Sequence, residues 1–176
     1  MIKLGASELR TTAPTDEDLK KIKKNPIYIV LDNVLDTYNV GGVFRLADAV
    51  AARKVFLCGQ TETPPSSRIK KASINTTEWV TWSYAPTAVE ALHELKTQNS
   101  KLKTIVVEQN RKSIPYDKAD YKFPIALVVG NETTGVSKEV LEIADQIVEI
   151  PMWGVNKSLN VIVSLGIALY EVMMHR

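Results

Sequence analysis

Short runs of β-branched and apolar residues recur along the chain, each bounded by turn formers or by a helical pattern. They predict strands at residues 27–31, 54–57, 104–108, 125–129 and 146–150. Several runs are apolar at every position, which is typical of strands covered on both faces in a parallel sheet. Helical patterns lie at residues 15–24, 42–51, 87–98, 138–144 and 159–174. This alternation indicates an α/β fold with a parallel sheet flanked by helices.

The chain shows no repeat, low-complexity tract or long linker that would divide it. We therefore expect a single domain over residues 1–176, in which residues 1–26 form a short N-terminal extension. A loop-rich region at residues 61–77 is a candidate binding loop. The basic group in this region is explained equally well by solvation and by phosphate contact, because a loop offers it no helix dipole; its members are Arg68, Lys70 and Lys71.

Composition is that of an ordinary globular protein, with 45% apolar and 24% charged residues. The net charge of +2 is too small to identify a nucleic-acid partner by itself. Cys58 is the single cysteine and cannot form an internal disulfide, so a reducing compartment is favoured and we expect the cytoplasm. The apolar stretch at residues 159–174 is interrupted by polar residues and is shorter than a membrane span, so no membrane partner is expected.

The first segment with candidate chemistry follows the first predicted strand and contains Asn39, Gly41, Gly42 and Arg45. Glycines at the start of a helix allow a tight turn and close approach of a ligand to free backbone amides. With the helix beginning at Gly42, Arg45 would lie about one turn inside it. The spacing is not that of a dinucleotide-binding loop, and for the segment taken alone a structural turn with a surface arginine is the favoured interpretation.

The second segment follows the strand predicted at residues 125–129. Gly130 and Gly135 have the spacing of a phosphate-binding loop, but Val136 occupies the position where such a loop needs lysine. A nucleotide-binding phosphotransferase is therefore disfavoured. Ser137 is a candidate helix N-cap, and Glu132 alone would be read as a solvated loop carboxylate.

The third segment, IPMWGVNKSLN, joins the last predicted strand to the C-terminal helix at residues 150–160. Ser158 fits the N-cap of that helix. Asn160 would then lie in the first turn of an apolar helix, where an unpaired amide is costly, so a specific hydrogen bond is expected. Other catalytic sets are missing: His93 and His175 have no partners at metal-ligand spacing, so no metal site is predicted, and Cys58 is expected to be a buried small hydrophobe.

Together and in this order, the three segments resemble the signature motifs of the SpoU/TrmH family of RNA 2′-O-ribose methyltransferases, within the SPOUT superfamily. The N-x-G-x-x-x-R motif is matched by Asn39, Gly41 and Arg45, and the second motif by Gly130, Glu132 and Gly135. The third is matched by IPMWGVNKSLNVIVSLGIALYE, which chance would rarely reproduce. Three residues depart from the family pattern: relatives often have glycine in place of Ala51 and Thr133, and serine in place of Ile162. These departures affect the expected geometry of the local loops.

The resemblance implies a C-terminal deep trefoil knot in which S-adenosylmethionine (AdoMet) binds, and a homodimer formed through the C-terminal helix. It implies cofactor contacts from Gly130, Ile150, Met152 and Leu159. It also implies RNA methylation at a ribose 2′-hydroxyl, with transfer RNA favoured over ribosomal RNA because the chain is compact. The alternative to an enzyme is an RNA-binding protein that has the same fold but no catalytic activity.

The family pattern assigns catalysis to Arg45, with Asn39, Glu132, Ser158 and Asn160 orienting it and the substrate. A ribose hydroxyl must lose its proton as it attacks the methyl group. Because guanidinium retains its proton to very high pH, Arg45 acts either as an unusual base or as an electrostatic stabiliser and phosphate clamp. Selection of RNA is expected to come from the core, from the loop with Arg68, Lys70 and Lys71, from the N-terminal segment or from the dimer partner.

Overall fold

A computed structural model describes residues 4–9 and 11–176 and shows strands that alternate with helices. The strands are β1 (Asn25–Asp32), β2 (Ala52–Cys58), β3 (Trp82–Ala85), β4 (Lys103–Val107), β5 (Ile114–Pro115), β6 (Ile125–Gly130) and β7 (Gln146–Glu149). The helices are α1 (Ala6–Leu9), α2 (Asp16–Lys20), α3 (Thr37–Ala49), α4 (Ser67–Ser73), α5 (Ala88–Gln98), α6 (Lys138–Ile143) and α7 (Val161–Met174). Short 3-10 helices span Thr76–Glu78 and Tyr116–Lys118.

The strands form one seven-stranded sheet in the order β3-β2-β1-β6-β4-β7-β5, and their pairings are parallel. The predicted α/β fold with a parallel sheet is therefore confirmed. β1 and β6 lie side by side near the centre, where Asp32 is in register with Gly130. Because parallel strands end at the same edge of the sheet, this register brings the loops after β1 and β6 together.

Alternate residues of the central strands are buried on opposite faces of the sheet, as the apolar runs predict. One face packs against α3 and α7, where Phe44 and Leu165 are fully buried. The other face packs against α5 and α6, where Leu92 and Val140 are fully buried. The cysteine Cys58 belongs to the second face, which confirms that it is a buried small hydrophobe.

Helix α3 begins five residues earlier than predicted, at Thr37 instead of Gly42, because Asp36 caps it. The Asp36 side chain accepts a hydrogen bond from the amide of Tyr38 at 2.8 Å. The glycines are thus inside the helix, and their prediction as a turn is wrong. They allow close packing instead: a methyl group on Gly41 would overlap the backbone of α4, and one on Gly42 would overlap Ile162 of α7.

The prediction of a loop at residues 61–77 is wrong in its second half, where α4 forms. Ser66 caps α4 by accepting from the amide of Ile69, and Ile69 is fully buried in the core. The basic residues therefore lie on a short helix rather than in a loop, and Lys70 and Lys71 stand in its last turn. Lys70 pairs with Glu78 at 3.1 Å, so part of this charge has an intramolecular explanation.

Three further differences concern short elements. The helix predicted at residues 15–24 is limited to Asp16–Lys20. Strands β3 and β5 were not predicted from the sequence, because they have only four and two residues. α3 ends at Ala49, and Ala51 after it adopts a φ of 48°, a left-handed conformation that favours glycine.

Within residues 4–9 and 11–176, no helix is both long enough and apolar enough to cross a membrane.

Candidate active site

The loops after β4, β6 and β7 line a cavity of about 500 Å³ at the carboxyl edge of the sheet. Its walls come from four stretches of chain, and their residues are Val107, Glu108, Gln109, Val129, Gly130, Asn131, Glu132, Thr133, Gly135, Glu149, Ile150, Met152, Asn156, Ser158, Leu159, Asn160, Val161 and Ser164. Ligand sites of open α/β sheets lie at this edge. The cavity is therefore the candidate active site.

The loop after β6 is a tight turn held by its own backbone. Asn131 and Gly135 exchange two hydrogen bonds, of 3.1 and 2.9 Å, and the side chain of Asn131 accepts from the amides of Thr133 and Thr134. Gly135 has a φ of 73°, which suits glycine. A methyl group on Gly130 would overlap the backbone of Gly135, so the turn can close only with glycine at residue 130.

A chain of side-chain hydrogen bonds joins residues of the three sequence motifs. Asn160 Nδ2 donates to Asn39 Oδ1 at 3.0 Å, and Asn39 Nδ2 donates to Glu132 Oε1 at 2.8 Å. Asn39 is 3% exposed, so its amide is fixed by these partners and by the packing of α3. Residues separated by about 90 and 120 positions in sequence thus form one connected group.

Glu132 also accepts from the backbone at the start of α3. The amides of Leu35 and Asp36 donate to its carboxylate at 3.2 and 3.1 Å. Partial burial favours the neutral acid, but the hydrogen bonds from Asn39 and from backbone amides outweigh it and lower the pKa of Glu132 below its ordinary value. Glu132 is therefore an ionised anchor for the first turn of α3 and not merely a solvated loop carboxylate.

The N-cap of α7 is Asn160, and the prediction of Ser158 in that role is wrong. The side-chain oxygen of Asn160 accepts from the amide of Ile162 at 2.8 Å while its amide group donates to Asn39. This confirms the expectation that Asn160 makes a specific hydrogen bond. Ser158 lies in the preceding exposed loop and lines the cavity. At α6, Ser137 does occupy the N-cap, although its side chain makes no capping bond.

The cavity is acidic. Glu108, Glu132 and Glu149 line it, and among the described residues none that lines it is basic. Glu108 is held across the β6 loop, where it accepts from the amide of Val136 at 3.0 Å. Glu149 accepts from the hydroxyl of Ser113 at 2.7 Å. Sequence analysis missed Glu108 and Glu149, although their position directly after a strand or at its end was an available signal.

The structure brings most of the predicted site residues together. The cavity contains the expected cofactor contacts Gly130, Ile150, Met152 and Leu159. It also contains Glu132, Ser158 and Asn160, whereas Asn39 adjoins it through its hydrogen bonds to Glu132 and Asn160.

Arg45 lies outside the cavity. It is exposed on α3, about two turns from the start of the helix instead of the predicted one. Within the part of the chain that the structure describes, Arg45 makes no side-chain hydrogen bond or ion pair. The basic residues of α4 are also outside, on a helix that packs against α3 at Gly41. These cations are therefore exposed and separate from the cavity wall.

Cys58 is not a nucleophile. Burial, together with the nearby carboxylates of Asp32 and Glu90, raises the pKa of its thiol to about 12. Among the described residues, no group of three or more His, Cys, Asp or Glu side chains could hold a metal ion.

Comparison with known proteins agrees with the three motifs. The SpoU rRNA Methylase family matches residues 26–170. A tRNA (guanosine(18)-2′-O)-methyltransferase of Aquifex aeolicus is 35% identical over 166 residues, which are 91% of this chain and 74% of that protein. The 23S rRNA (guanosine-2′-O-)-methyltransferase RlmB of Ralstonia nicotianae is 33% identical over 171 residues, 97% of this chain and 68% of that protein.

Solved structures agree as well. The crystal structure of A. aeolicus TrmH/SpoU tRNA modifying enzyme superposes with a TM-score of 0.79 at 32% identity, over 97% of this chain and 82% of that one. An AdoMet-bound rRNA methyltransferase from Sinorhizobium meliloti gives 0.78 at 29% identity, over 89% of this chain and 60% of that one. The chain belongs to the SpoU methylase family.

Proposed function

We propose that this chain is an AdoMet-dependent methyltransferase that modifies a ribose 2′-hydroxyl of RNA, with transfer RNA as its substrate. The observation that carries the proposal is the hydrogen-bond chain Asn160–Asn39–Glu132, which joins the three motifs beside one cavity. The relatives named for this chemistry act on tRNA and on rRNA. The first of these, at 35% identity, is a tRNA enzyme, and this favours tRNA.

The cavity fits the cofactor. Its volume lies within the range of about 300–1,000 Å³ found for small-molecule sites. Ile150, Met152 and Leu159 offer apolar surface for an adenine ring, and Gly130 leaves backbone groups accessible. The carboxylates of the wall suit a cationic ligand. AdoMet, when bound, supplies a sulfonium methyl group that a nucleophile can take.

The substrate side of the reaction is assigned to Arg45. The attacking hydroxyl loses its proton, and guanidinium holds its own, so the proton passes through a phosphate oxygen of the bound RNA to water. Arg45 stabilises the negative charge that develops on the ribose oxygen and clamps a neighbouring phosphate. Glu132, Asn39 and Asn160 position α3 and hence Arg45, while Ser158 orients the substrate at the cavity wall. Arg68, Lys70 and Lys71 of α4 contact the RNA backbone beyond it.

We further propose that the segment after β7 forms a deep trefoil knot in a single domain that spans residues 1–176. The extension expected at residues 1–26 is two residues shorter, because β1 begins at Asn25. Support for the knot comes from the strand order, in which β6 lies between β1 and β4 and the chain after β7 returns to α3. The structural similarity to SpoU proteins also supports it. A tRNA substrate implies a cytoplasmic protein.

A homodimer through α7 is also proposed. One apolar stripe of α7 is buried in the core and contains Leu165 and Leu169. A second apolar stripe faces outward and includes Tyr170 and Met174, which are 56% and 81% exposed. Such a stripe calls for a partner surface. We expect Tyr170→Glu to convert a dimer to a monomer in sedimentation velocity, while Tyr84→Glu, at a tyrosine 53% exposed on β3, leaves the dimer intact. A Tyr170→Glu protein that remains dimeric would contradict this assignment.

The function is tested by incubating the protein with AdoMet labelled on its methyl group and with tRNA or rRNA. A 2′-O-methyl group removes the hydroxyl that alkaline cleavage requires, so the labelled linkage resists alkali and can be mapped. Labelled tRNA is the expected result. Label on rRNA alone would transfer the assignment to rRNA, and binding of AdoMet without transfer to any RNA would favour a non-catalytic RNA-binding protein. Calorimetric binding of ATP without AdoMet would favour a phosphotransferase.

Arg45→Ala is expected to reduce methyl transfer at least about 100-fold, because the variant loses a charge that acts at the transition state. AdoMet affinity should stay within about twofold of wild type, since Arg45 lies outside the cavity. Arg53→Ala is the matched control, at an exposed arginine near the amino end of β2. Near-normal turnover of Arg45→Ala would remove the residue from the mechanism.

A further inference from the structure

Two loops at the mouth of the cavity carry cations that the roles above do not use. Arg111 and Lys112 follow β4, and Lys157 lies between β7 and α7. Gln109 Nε2 donates to the backbone oxygen of Lys157 at 2.5 Å and ties the loops together. Gln109 and Asn156, which neighbour these cations in sequence, line the cavity. The joined loops, residues 109–112 and 153–157, are called the rim.

The backbone of the rim is held by hydrogen bonds, and among the described residues no ion pair accounts for its cations. Arg111, Lys112 and Lys157 are exposed, and none forms an ion pair within residues 4–9 and 11–176. Arg111 and Lys112 stand on a compact turn in which the side chain of Asn110 accepts from the amide of Lys112 at 3.0 Å. The Gln109–Lys157 hydrogen bond joins this turn to the loop that carries Lys157, so the three cations lie on connected loops.

The rim also exposes a large aromatic side chain. Trp153 is 92% exposed and directly follows Met152 of the cavity wall. A tryptophan left in water at that position gains nothing from the fold. Stacking platforms next to phosphate-binding cations are the combination by which proteins hold unpaired nucleic acid.

We propose that the rim binds an unpaired stretch of the RNA substrate next to the target nucleotide, with Trp153 stacked on a base and the three cations on phosphates. This rests on the proposed function. A second copy of the chain is the less suitable occupant, because a twofold interface places a patch against itself and would oppose like charges. The outward stripe of α7 offers a second copy an apolar surface free of that repulsion.

Binding of a fluorescein-labelled, single-stranded oligoribonucleotide of mixed sequence, measured by anisotropy without cofactor, tests the rim. Trp153→Ala should weaken binding about 5- to 100-fold, and Trp153→Phe much less, because stacking needs an aromatic ring. Quenching of tryptophan fluorescence by the RNA should disappear in Trp153→Phe, although Trp79 and Trp82 remain. AdoMet affinity, measured by calorimetry, should be unchanged in both variants.

The triple variant Arg111→Gln, Lys112→Gln, Lys157→Gln should make the slope of log K against log salt less steep by about 2. The reason is that each phosphate contact on a single strand contributes about 0.7 to that slope. Its matched control is Lys23→Gln, Arg53→Gln, Lys101→Gln, which removes the same charge at the amino ends of the strands. The control should leave the slope nearly unchanged.

Equal effects of both triple variants, or RNA affinity unchanged in Trp153→Ala, would overturn the rim proposal. Dissociation of a dimer by Trp153→Ala in sedimentation velocity would overturn it too, since the rim would then be a subunit interface. RNA binding is measured without transfer, so the outcome is independent of catalysis. Failure of the proposed function would instead appear as wild-type protein that transfers no methyl group to any RNA.

Discussion

Glu132 offers the sharpest test of how the site is held together. Its carboxylate accepts from the side chain of Asn39 and from the amides of Leu35 and Asp36. Glu132→Gln keeps the shape of the side chain but removes the charge and turns one oxygen acceptor into a donor. That new amide group cannot accept from the donors that it faces, so at least one of the three N–H groups loses its partner.

The expected loss follows from the hydrogen bonds. A bond to a charged group contributes about 1.5–3 kcal/mol, and two or three are weakened here at a partly solvated position, so we expect about 2–3 kcal/mol in total. For a chain of this length, 1 kcal/mol corresponds to about 2–4 °C in Tm, so the melting temperature at pH 7 should fall by about 4–12 °C. Methyl transfer should fall as well, because Asn39 and the start of α3 lose their anchor.

The pH dependence gives an independent check. Because the folded pKa of Glu132 is lowered, its ionisation stabilises the protein above the unfolded pKa of about 4.3, and this contribution is lost as pH falls through the folded pKa. The difference in Tm between wild type and Glu132→Gln should therefore be full at pH 7 and narrow below about pH 4.

Calorimetric melting curves at several pH values measure both effects. Glu62→Gln, at an exposed carboxylate with no hydrogen bond within the described residues, is the matched control and should change Tm by less than about 1 °C. A Glu132→Gln protein that melts like wild type at pH 7, or whose deficit is the same at every pH, would refute the reasoning.

Two substitutions test the backbone of α3 and its end by thermal melting. Gly41→Ala should lower Tm by about 2–8 °C, because its methyl group would lie 2.5 Å from Ala72 Cβ and 2.9 Å from the nitrogen of Ser73. Overpacking outweighs the gain in helix propensity by about 1–2 kcal/mol. An unchanged Tm would contradict the close packing. Ala51→Gly should raise Tm by about 1–4 °C because it relieves a φ of 48°, whereas Ala49→Gly, at the last residue of α3, should lower it. A lower Tm for both variants would contradict this account.

The central sheet could be predicted from the sequence because its strands are buried on both faces. An unbroken apolar run is the signal of such a strand, and β1, β2, β4 and β6 each have one. β5 consists of Ile114–Pro115, both exposed, and exists through pairing with β7 alone. A two-residue strand leaves no periodicity to detect, so only the tertiary structure defines it.

The start of α3 could not be predicted because two effects of glycine compete. Glycine lowers helix propensity, so Gly41 and Gly42 indicate a turn when they are considered locally. The structure shows that close helix packing decides instead, with α4 against Gly41 and Ile162 of α7 against Gly42. Ile162 departs from the serine frequent in the resembling family, and the missing side chain at Gly42 provides the space for it.

The candidate site was predicted where a short motif supplied its residues and missed where only spatial proximity does. Gly130, Glu132 and Asn160 were identified from their motifs, and they meet at the cavity. Glu108 belongs to no motif and enters the site because β4 lies beside β6 in the sheet. Its position at the end of a predicted strand indicates only that it lies at the carboxyl edge of the sheet, and strand order, which no local spacing encodes, decides which residues it meets there.

The distribution of charge around the cavity bears on how the protein binds two substrates of opposite charge. The wall carries three carboxylates and, among the residues described, no cation, and such a wall suits a sulfonium cofactor and repels a polyanion. RNA must therefore be held outside the cavity, where Arg45, the α4 cations and the rim cations are exposed. Only the uncharged ribose hydroxyl has to reach the mouth. A basic residue introduced into the wall would remove this separation, so Glu149→Lys should weaken AdoMet binding while strengthening RNA binding.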